Sequence, residues 1–325
     1  MRAFLAFVVL LACAAPCAAQ DRFVEIGTLG DARHPARRVV AWVPREHGAT
    51  PLPVLYVHDG QAAFSLFGID RTLRALIDEG VVTPWVVVAI DTVDLERRRH
   101  ELAQHAEAYA DFVADVVAPA VASRLRVRSD REGTASIGYS YGGLAAVRLA
   151  LHRPDRFGRA IAMSPSLWWR SRDALARMRR ARVVPARLWI DIGSLEGRRG
   201  ETVPYMVRDA RALRDLAISR GMTFGRELGY DEAIGEAHDL FAAGRRMRAA
   251  LAFGLGELDL SSTTPSALEV VRYPGARRTT FAVRAQYPRG LSLTWPPQRA
   301  GLARDVVDAR AAIHARLGEV EAHAP

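Results

Sequence analysis

The chain contains no lysine, so all 45 residues that count toward its basic charge are arginines, against 36 acids, for a formal net charge of +9. Arginine without lysine, beside abundant Ala, Gly and Val, points to GC-rich coding rather than to selection for a polyanion. Runs such as Arg97-Arg98-Arg99 and Arg177 to Arg182 have no aromatics interleaved among them. Single-strand nucleic-acid binders need such stacking platforms, so these runs read as solvated helix faces. Cysteine is nearly absent too: Cys13 and Cys17 are the only two. No Cys/His cluster, His-Glu-x-x-His or phosphate loop is present, so no metal or other cofactor is implied.

Met1-Arg2 is followed by apolar residues through Ala12 and then by Ala-Ala-Pro-Cys-Ala-Ala19. A basic start, a short apolar run and small residues before Gln20 form a secretory signal pattern, too short for a spanning helix of about 20 residues. Residues 1–19 are therefore expected to be removed, leaving a periplasmic or secreted protein without cysteine. Leu10-Leu11-Ala12-Cys13 also resembles a lipoprotein cleavage site, and acylation of Cys13 would tether the chain to a membrane.

The richest stretch is Gly138-Tyr139-Ser140-Tyr141-Gly142, which reads G-x-S-x-G. An apolar strand (Thr134 to Ile137) leads in and a helix rich in small residues leads out, the setting of a nucleophile elbow. A sharp strand-to-helix turn forces the central Ser into a strained conformation and lifts its hydroxyl clear of the sheet. Glycines two positions either side remove Cβ atoms that would collide there. Ser140 is the expected nucleophile.

A lone Ser is a weak nucleophile and needs a base, itself oriented by an acid. Four histidines follow Ser140: His152, His238, His314 and His323. His152 lies on the helix that begins at the Ser, roughly 18 Å along its axis, and the last two sit in a C-terminal tail. His238 follows a strand candidate at Thr223 to Leu228 and precedes a helix at Leu240 to Leu251. Such a loop, at the carboxyl end of a late strand, suits the base. The acid is expected at Glu196, on the loop past the strand Arg187 to Ile192, with Asp191 inside that strand as runner-up. Glu201 is a third choice, better explained as the start of the next helix. Oxyanion donors are expected from the amide of Tyr141 and from Gln61, where His58-Asp59-Gly60-Gln61 closes the strand Val54 to Val57.

Leu52 to Gln61, Gly138 to Leu144 and Met163-Ser-Pro-Ser-Leu-Trp-Trp169 together resemble the putative-esterase family of α/β-hydrolases. That group includes siderophore (enterochelin-type) esterases, feruloyl and acetyl-xylan esterases, S-formylglutathione hydrolases and mycolyltransferases. The likeness runs from about Arg37 to about Phe253. It implies a Ser140, Glu196, His238 triad with oxyanion amides at Gln61 and Tyr141, and at least one of Trp168 and Trp169 against the substrate. It implies a serine esterase whose partner is a small-molecule or glycan ester, with acyl transfer or ligand binding on the same scaffold as alternatives. Arg198 and Arg199 beside Glu196 are placed to meet an acidic substrate group.

The remaining pattern fits an α/β-hydrolase fold, a doubly wound, mostly parallel sheet. An edge strand is expected at Arg38 to Pro44 and buried strands at Val54 to Val57, Trp85 to Ile90 and Arg159 to Met163. Helices are expected at Ile69 to Glu79, Glu107 to Leu125, Ser171 to Arg180 and Val203 to Arg220. Residues 20–254 make the expected catalytic domain. Residues 255–325 make a linker and a small β-rich appendage, with strands at Ala267 to Tyr273, Thr279 to Tyr287 and Leu291 to Trp295 and a closing helix at Leu302 to Leu317. Three strands alone are marginal, so the appendage is expected to pack on the rest.

Overall fold

The computed structural model describes residues 20–197, 203–272 and 281–295. The expected signal segment, the possible acylation site at Cys13, Glu201, Arg198, Arg199 and the closing helix lie outside the described residues.

Strands β1 (Arg22–Leu29), β2 (Arg37–Val43) and β3 (Val54–His58) lead into helices α1 (Gly60–Ala63) and α2 (Ile69–Asp78). Strand β4 (Val86–Ile90) precedes α3 (Leu95–Arg99), α4 (Ala106–Phe112) and α5 (Ala118–Arg124). Strand β5 (Thr134–Tyr139) then alternates with α6 (Tyr141–His152), β6 (Arg159–Met163), α7 (Trp169–Arg180), β7 (Arg187–Gly193) and α8 (Tyr205–Ser219). Strand β8 (Leu228–Ala233) and α9 (Leu240–Leu255) finish this layer system, and β9 (Ala267–Arg272), β10 (Phe281–Tyr287) and β11 (Leu291–Trp295) form a second sheet.

The large sheet runs β1-β2-β4-β3-β5-β6-β7-β8, with β3 to β8 parallel and β1 and β2 antiparallel additions at one side. Strands β3 to β7 are buried along their whole length. Helices α2 and α9 pack together on one face, and α4, α6, α7 and α8 pack on the other. Strands covered on both faces need continuous apolar runs, which is what Val86-Val-Val-Ala-Ile90 supplies.

Three expectations are corrected. Thr223 to Leu228 is a turn, not a strand: the amides of Arg226, Glu227 and Leu228 all bond the Thr223 carbonyl, and Gly225 has φ +85°. The strand instead begins at Leu228 and carries Asp231 and Glu232, both buried. Those charges hid it from a hydrophobic pattern. Strand β2 is not the edge, because β1, half-exposed and interrupted by a bulge at Gly27, pairs outside it. The long helix of Glu107 to Leu125 is two α segments joined by a π-helical turn at Val113–Val117, a one-residue insertion in the helical repeat.

The small sheet packs against β8 and α9. Arg284 holds Asp231 with bonds of 3.0 and 2.9 Å, and the Thr294 hydroxyl accepts the Glu232 N–H at 2.9 Å while donating to Asp231 at 3.0 Å. Edge strand β8 thus has a backbone donor satisfied from outside its own sheet, which also blunts the edge.

Candidate active site

Strand β5 ends in the turn on which the site is built. Ser140 has φ 61° and ψ −114°, strained for a residue with a Cβ. Its carbonyl accepts from the amides of Leu144 (3.1 Å) and Ser166 (3.0 Å), and its own N–H bonds the Met163 carbonyl (3.0 Å). Those three bonds hold the strain in place. A Cβ on Gly138 would lie 2.5 Å from the Gly142 carbonyl carbon, and one on Gly143 would lie 2.7 Å from the Met163 oxygen. Gly142 is under less pressure, since its nearest contact would be 3.3 Å. The turn needs Gly138 and Gly143 more than the second glycine of the motif.

Ser140 Oγ lies 3.0 Å from His238 Nε2, and His238 Nδ1 lies 2.6 Å from Glu196 Oε2. With Nδ1–H given to the carboxylate, Nε2 is left to accept the serine proton. The two loops that bring these residues together are tied to each other. Ser194 N–H bonds the Ala233 carbonyl (2.9 Å), Leu195 N–H the Glu236 carbonyl (3.0 Å), and Gly235 N–H the Ser194 hydroxyl (2.9 Å). Tyr139 stacks on the imidazole, with ring centroids 4.7 Å apart and planes at 25°. His238 keeps a third of its side chain in solvent, whereas Glu196 is buried.

Glu196 Oε1 also accepts from Gly193 N–H (2.8 Å) and from the Ser164 hydroxyl (2.6 Å). Asp191 sits behind it, fully buried, with Oδ2 taking the Trp189 indole N–H at 2.8 Å. Burial pushes the Asp191 carboxyl up to about 6, against the pull of Arg246. The carboxylate that meets His238 Nδ1 is that of Glu196, so the chain of hydrogen bonds runs through Glu196 rather than Asp191.

On the other side of Ser140, Asp59 adopts a left-handed conformation (φ 59°) and Gly60 packs so closely that a Cβ would fall 2.5 Å from Ile90 N. Arg98 grips Asp59 with two bonds, Nε to Oδ1 at 2.7 Å and Nη2 to Oδ2 at 2.8 Å, and donates to the Tyr139 carbonyl at 3.2 Å. Thr92 adds a hydroxyl to Asp59 Oδ1 (2.8 Å) and its N–H to the Gln61 side chain (2.9 Å). Gln61 and Tyr141 each sit in the first turn of a helix, where N–H groups lack intrahelical acceptors. His58 next to them is buried, with Nδ1 3.1 Å from the Tyr109 hydroxyl, and burial lowers it to about 4, so it is neutral.

Trp168 is part-exposed and Trp169 half-buried; both rings lie by Tyr141, at centroid distances of 6.2 and 5.5 Å. The Arg98 guanidinium lies over the Tyr141 ring, 5.6 Å from its centroid.

Sequence reasoning passed over Ser164, Ser166, Asp59, Arg98 and Arg246. Ser164 and Ser166 stood inside the quoted Met163 to Trp169 segment, and Ser166 Oγ is 3.3 Å from Ser140 Oγ. Arg246 had a signal as well: it falls among Ala242, Ala243, Met247 and Ala250, on the buried stripe of α9. A charge on such a stripe needs a buried partner.

The family model described as "Putative esterase" matches residues 35–215, ending before β8 and His238. Among curated proteins, the chain is 33% identical over 147 residues to the siderophore triacetylfusarinine C esterase of Aspergillus fumigatus, covering 40% of this chain and 49% of that protein. It is 27% identical over 187 residues to the iron(III) salmochelin esterase of Escherichia coli, covering 53% and 45%. Matches to these relatives thus span half or less of their length. Among solved structures, the enterobactin esterase of Shigella flexneri superposes with a TM-score of 0.60 at 22% identity, covering 71% of this chain and 57% of that one. The siderophore hydrolase EstB of Aspergillus nidulans gives 0.53 at 24% identity, covering 77% and 97%. At such identities the structural likeness speaks to fold.

Proposed function

The chain belongs to the putative-esterase family, and from that premise we propose that it is an exported serine ester hydrolase acting on a siderophore ester. The observation that carries the chemistry is the continuous path Ser140 Oγ, His238 Nε2, His238 Nδ1, Glu196 Oε2, with steps of 3.0 and 2.6 Å. The substrate class is supported by the names of the curated relatives, several of them siderophore or enterobactin esterases. Export is supported by the pattern of residues 1–19, and the catalytic unit is residues 20–254 with residues 255–325 as an accessory.

Ser140 Oγ adds to the ester carbonyl carbon while its proton passes to His238 Nε2. The amides of Gln61 and Tyr141 donate to the oxyanion, which is stabilised where charge develops. Collapse of the tetrahedral intermediate expels the alcohol, which leaves with the proton from Nε2, and an acyl-enzyme remains. Water then attacks the acyl carbon, gives its proton to Nε2, and the acid is released as that proton returns to Ser140. Glu196 keeps the imidazole in the reactive tautomer and faces the imidazolium when it forms. Trp168 and Trp169 offer flat apolar area beside the acyl or alcohol portion.

Rates on p-nitrophenyl acyl esters and on a triserine-lactone siderophore test this, with Ser140→Ala measured alongside. The substitution is expected to lower kcat by roughly 10⁴-fold or more. Equal rates for the two proteins would end the hydrolase reading, and wild-type turnover of the simple esters without turnover of the siderophore would end the siderophore assignment.

A further inference from the structure

Arg246 is the buried cation of α9, 6% exposed, and it faces more acids than it can neutralise. Its Nε lies 3.1 Å from Asp191 Oδ1, and its Nη1 lies 3.5 Å from Glu196 Oε1 and 3.3 Å from Glu236 Oε2. Those contacts are ion pairs, not hydrogen bonds, since Nε and Nη1 lack hydrogen-bond partners among the described residues. The guanidinium's one directed bond runs from Nη2 to the Ser164 hydroxyl at 2.7 Å, and that hydroxyl donates onward to Glu196 Oε1 at 2.6 Å. A hydroxyl has one proton to give, so accepting from Arg246 fixes its donation toward Glu196. Ser164 holds φ at 43°, in the left-handed region, with its N–H on the Asp191 carbonyl at 2.9 Å. Backbone strain at a non-glycine residue persists only where the surroundings enforce it.

Resting on the triad reading above, we propose that Arg246, acting through the Ser164 hydroxyl, is the positioning residue that keeps Glu196 aimed at His238. The charged and titratable groups around this cluster come from every neighbouring element. Asp191 and the Trp189 indole lie on β7, Asp231 on β8 with Arg284 from β10, and Tyr139 on β5. Glu236 belongs to the His238 loop and is shared with Arg245 at 2.9 Å. With His238 neutral, the single inner guanidinium faces Asp191, Glu196 and Glu236. The deficit of positive charge is what a transient imidazolium relieves, since opposite charge nearby favours the ionised form. Arg246 is thus not a counter-ion that cancels the acid. It limits the surplus of buried negative charge and, through Ser164, fixes the orientation of the Glu196 carboxylate.

Arg246→Met, Arg246→Lys and Ser164→Ala separate this role from a structural one. Arg246→Met is expected to lower kcat by about tenfold or more, a part of what general-base catalysis supplies, with KM held within roughly twofold. Arg246→Lys keeps the charge and should recover most of that loss, and Ser164→Ala should fall between wild type and Arg246→Met. The low-field proton resonance of the His238 Nδ1–H to Glu196 bond should move in Arg246→Met and Ser164→Ala even without substrate. An unchanged resonance and unchanged kcat in Ser164→Ala would overturn the proposal, also if Arg246→Met fails to fold. A rise in KM at constant kcat would overturn it too, since the residue would then act on the substrate. Ser140→Ala in parallel keeps the two readings apart. If it stays active, the triad reading fails; if it is dead while the Arg246 and Ser164 variants match wild type, only the relay fails.

Discussion

The two flanks of Ser140 each place a buried or half-buried arginine at the site, and they use it in opposite ways. On the flank of the proposed oxyanion donors, Arg98 meets one carboxylate, Asp59, bidentately, so charge is balanced one to one. On the base flank, Arg246 meets Asp191, Glu196 and Glu236. The balanced pair suits a part that must hold still, because backbone amides donate from fixed positions and change no charge. The unbalanced cluster suits a part that, in the proposed mechanism, becomes cationic during each turnover. The ionisable groups at the two strand ends follow the same division. His58 at the end of β3 is held neutral, lowered to about 4, while Asp191 in β7 is pushed up to about 6, burial being the largest cause in both.

The comparison breaks most sharply at the acid. Glu196→Gln is expected to lower kcat by about 10³- to 10⁴-fold, because an amide cannot hold the imidazole in its reactive tautomer. Asp191→Asn should cost far less under the same assay, and the reverse ranking would move the acid to Asp191. On the opposite flank, Arg98→Met releases Asp59 and the Tyr139 carbonyl together. The expected loss is about 10²-fold in kcat with little change in KM, the size of one misplaced oxyanion donor. Loss of binding without loss of kcat would instead make Arg98 a substrate contact.

Stability against pH sharpens the contrast. Asp191 has a folded pKa of about 6 against 3.8 unfolded, so the native state binds more protons in between. Its contribution is fully present below pH 4 and is lost as pH rises through 6, by about 3 kcal/mol. His58 has a folded pKa of about 4 against 6.5, so the unfolded state binds more protons in that window. Its contribution is present above 6.5 and is lost as pH falls through 4, again by about 3 kcal/mol. In the wild type the two slopes nearly cancel between pH 4 and 6. Denaturant titrations should show Asp191→Asn growing more stable with pH across that range and His58→Gln growing less stable. Parallel slopes in both variants would remove the contrast. The smallest effect is expected at the rim: Trp168→Ala should raise KM by about three- to tenfold at near-constant kcat, as lost apolar contact does.

What could be read from the sequence follows the same physics. Strands β3, β4 and β6 are runs of apolar residues buried on both faces, and their positions were legible to within a residue or so. The elbow motif placed Ser140, and the order of acid then histidine placed Glu196 and His238 on later loops; the structure brings His238 within hydrogen-bond reach of both others. Strand β8 was not legible, since Asp231 and Glu232 are buried beside Arg284, Thr294 and Arg211, which reach them from elsewhere in the chain. Strand β1 escaped because an edge strand shows half its side chains to solvent. Arg246 and Ser164 stood in segments that carried a signal, but their partners, Asp191 and Glu196, lie tens of residues away and could not be named from the sequence.

The most direct measurement is intact-protein mass spectrometry after treatment with an aryl phosphonofluoridate, followed by peptide mapping. A single adduct on Ser140, abolished in His238→Ala, is the expected result. No adduct, or one on another residue with Ser140 unlabelled, would contradict the assignment of Ser140 as the activated nucleophile.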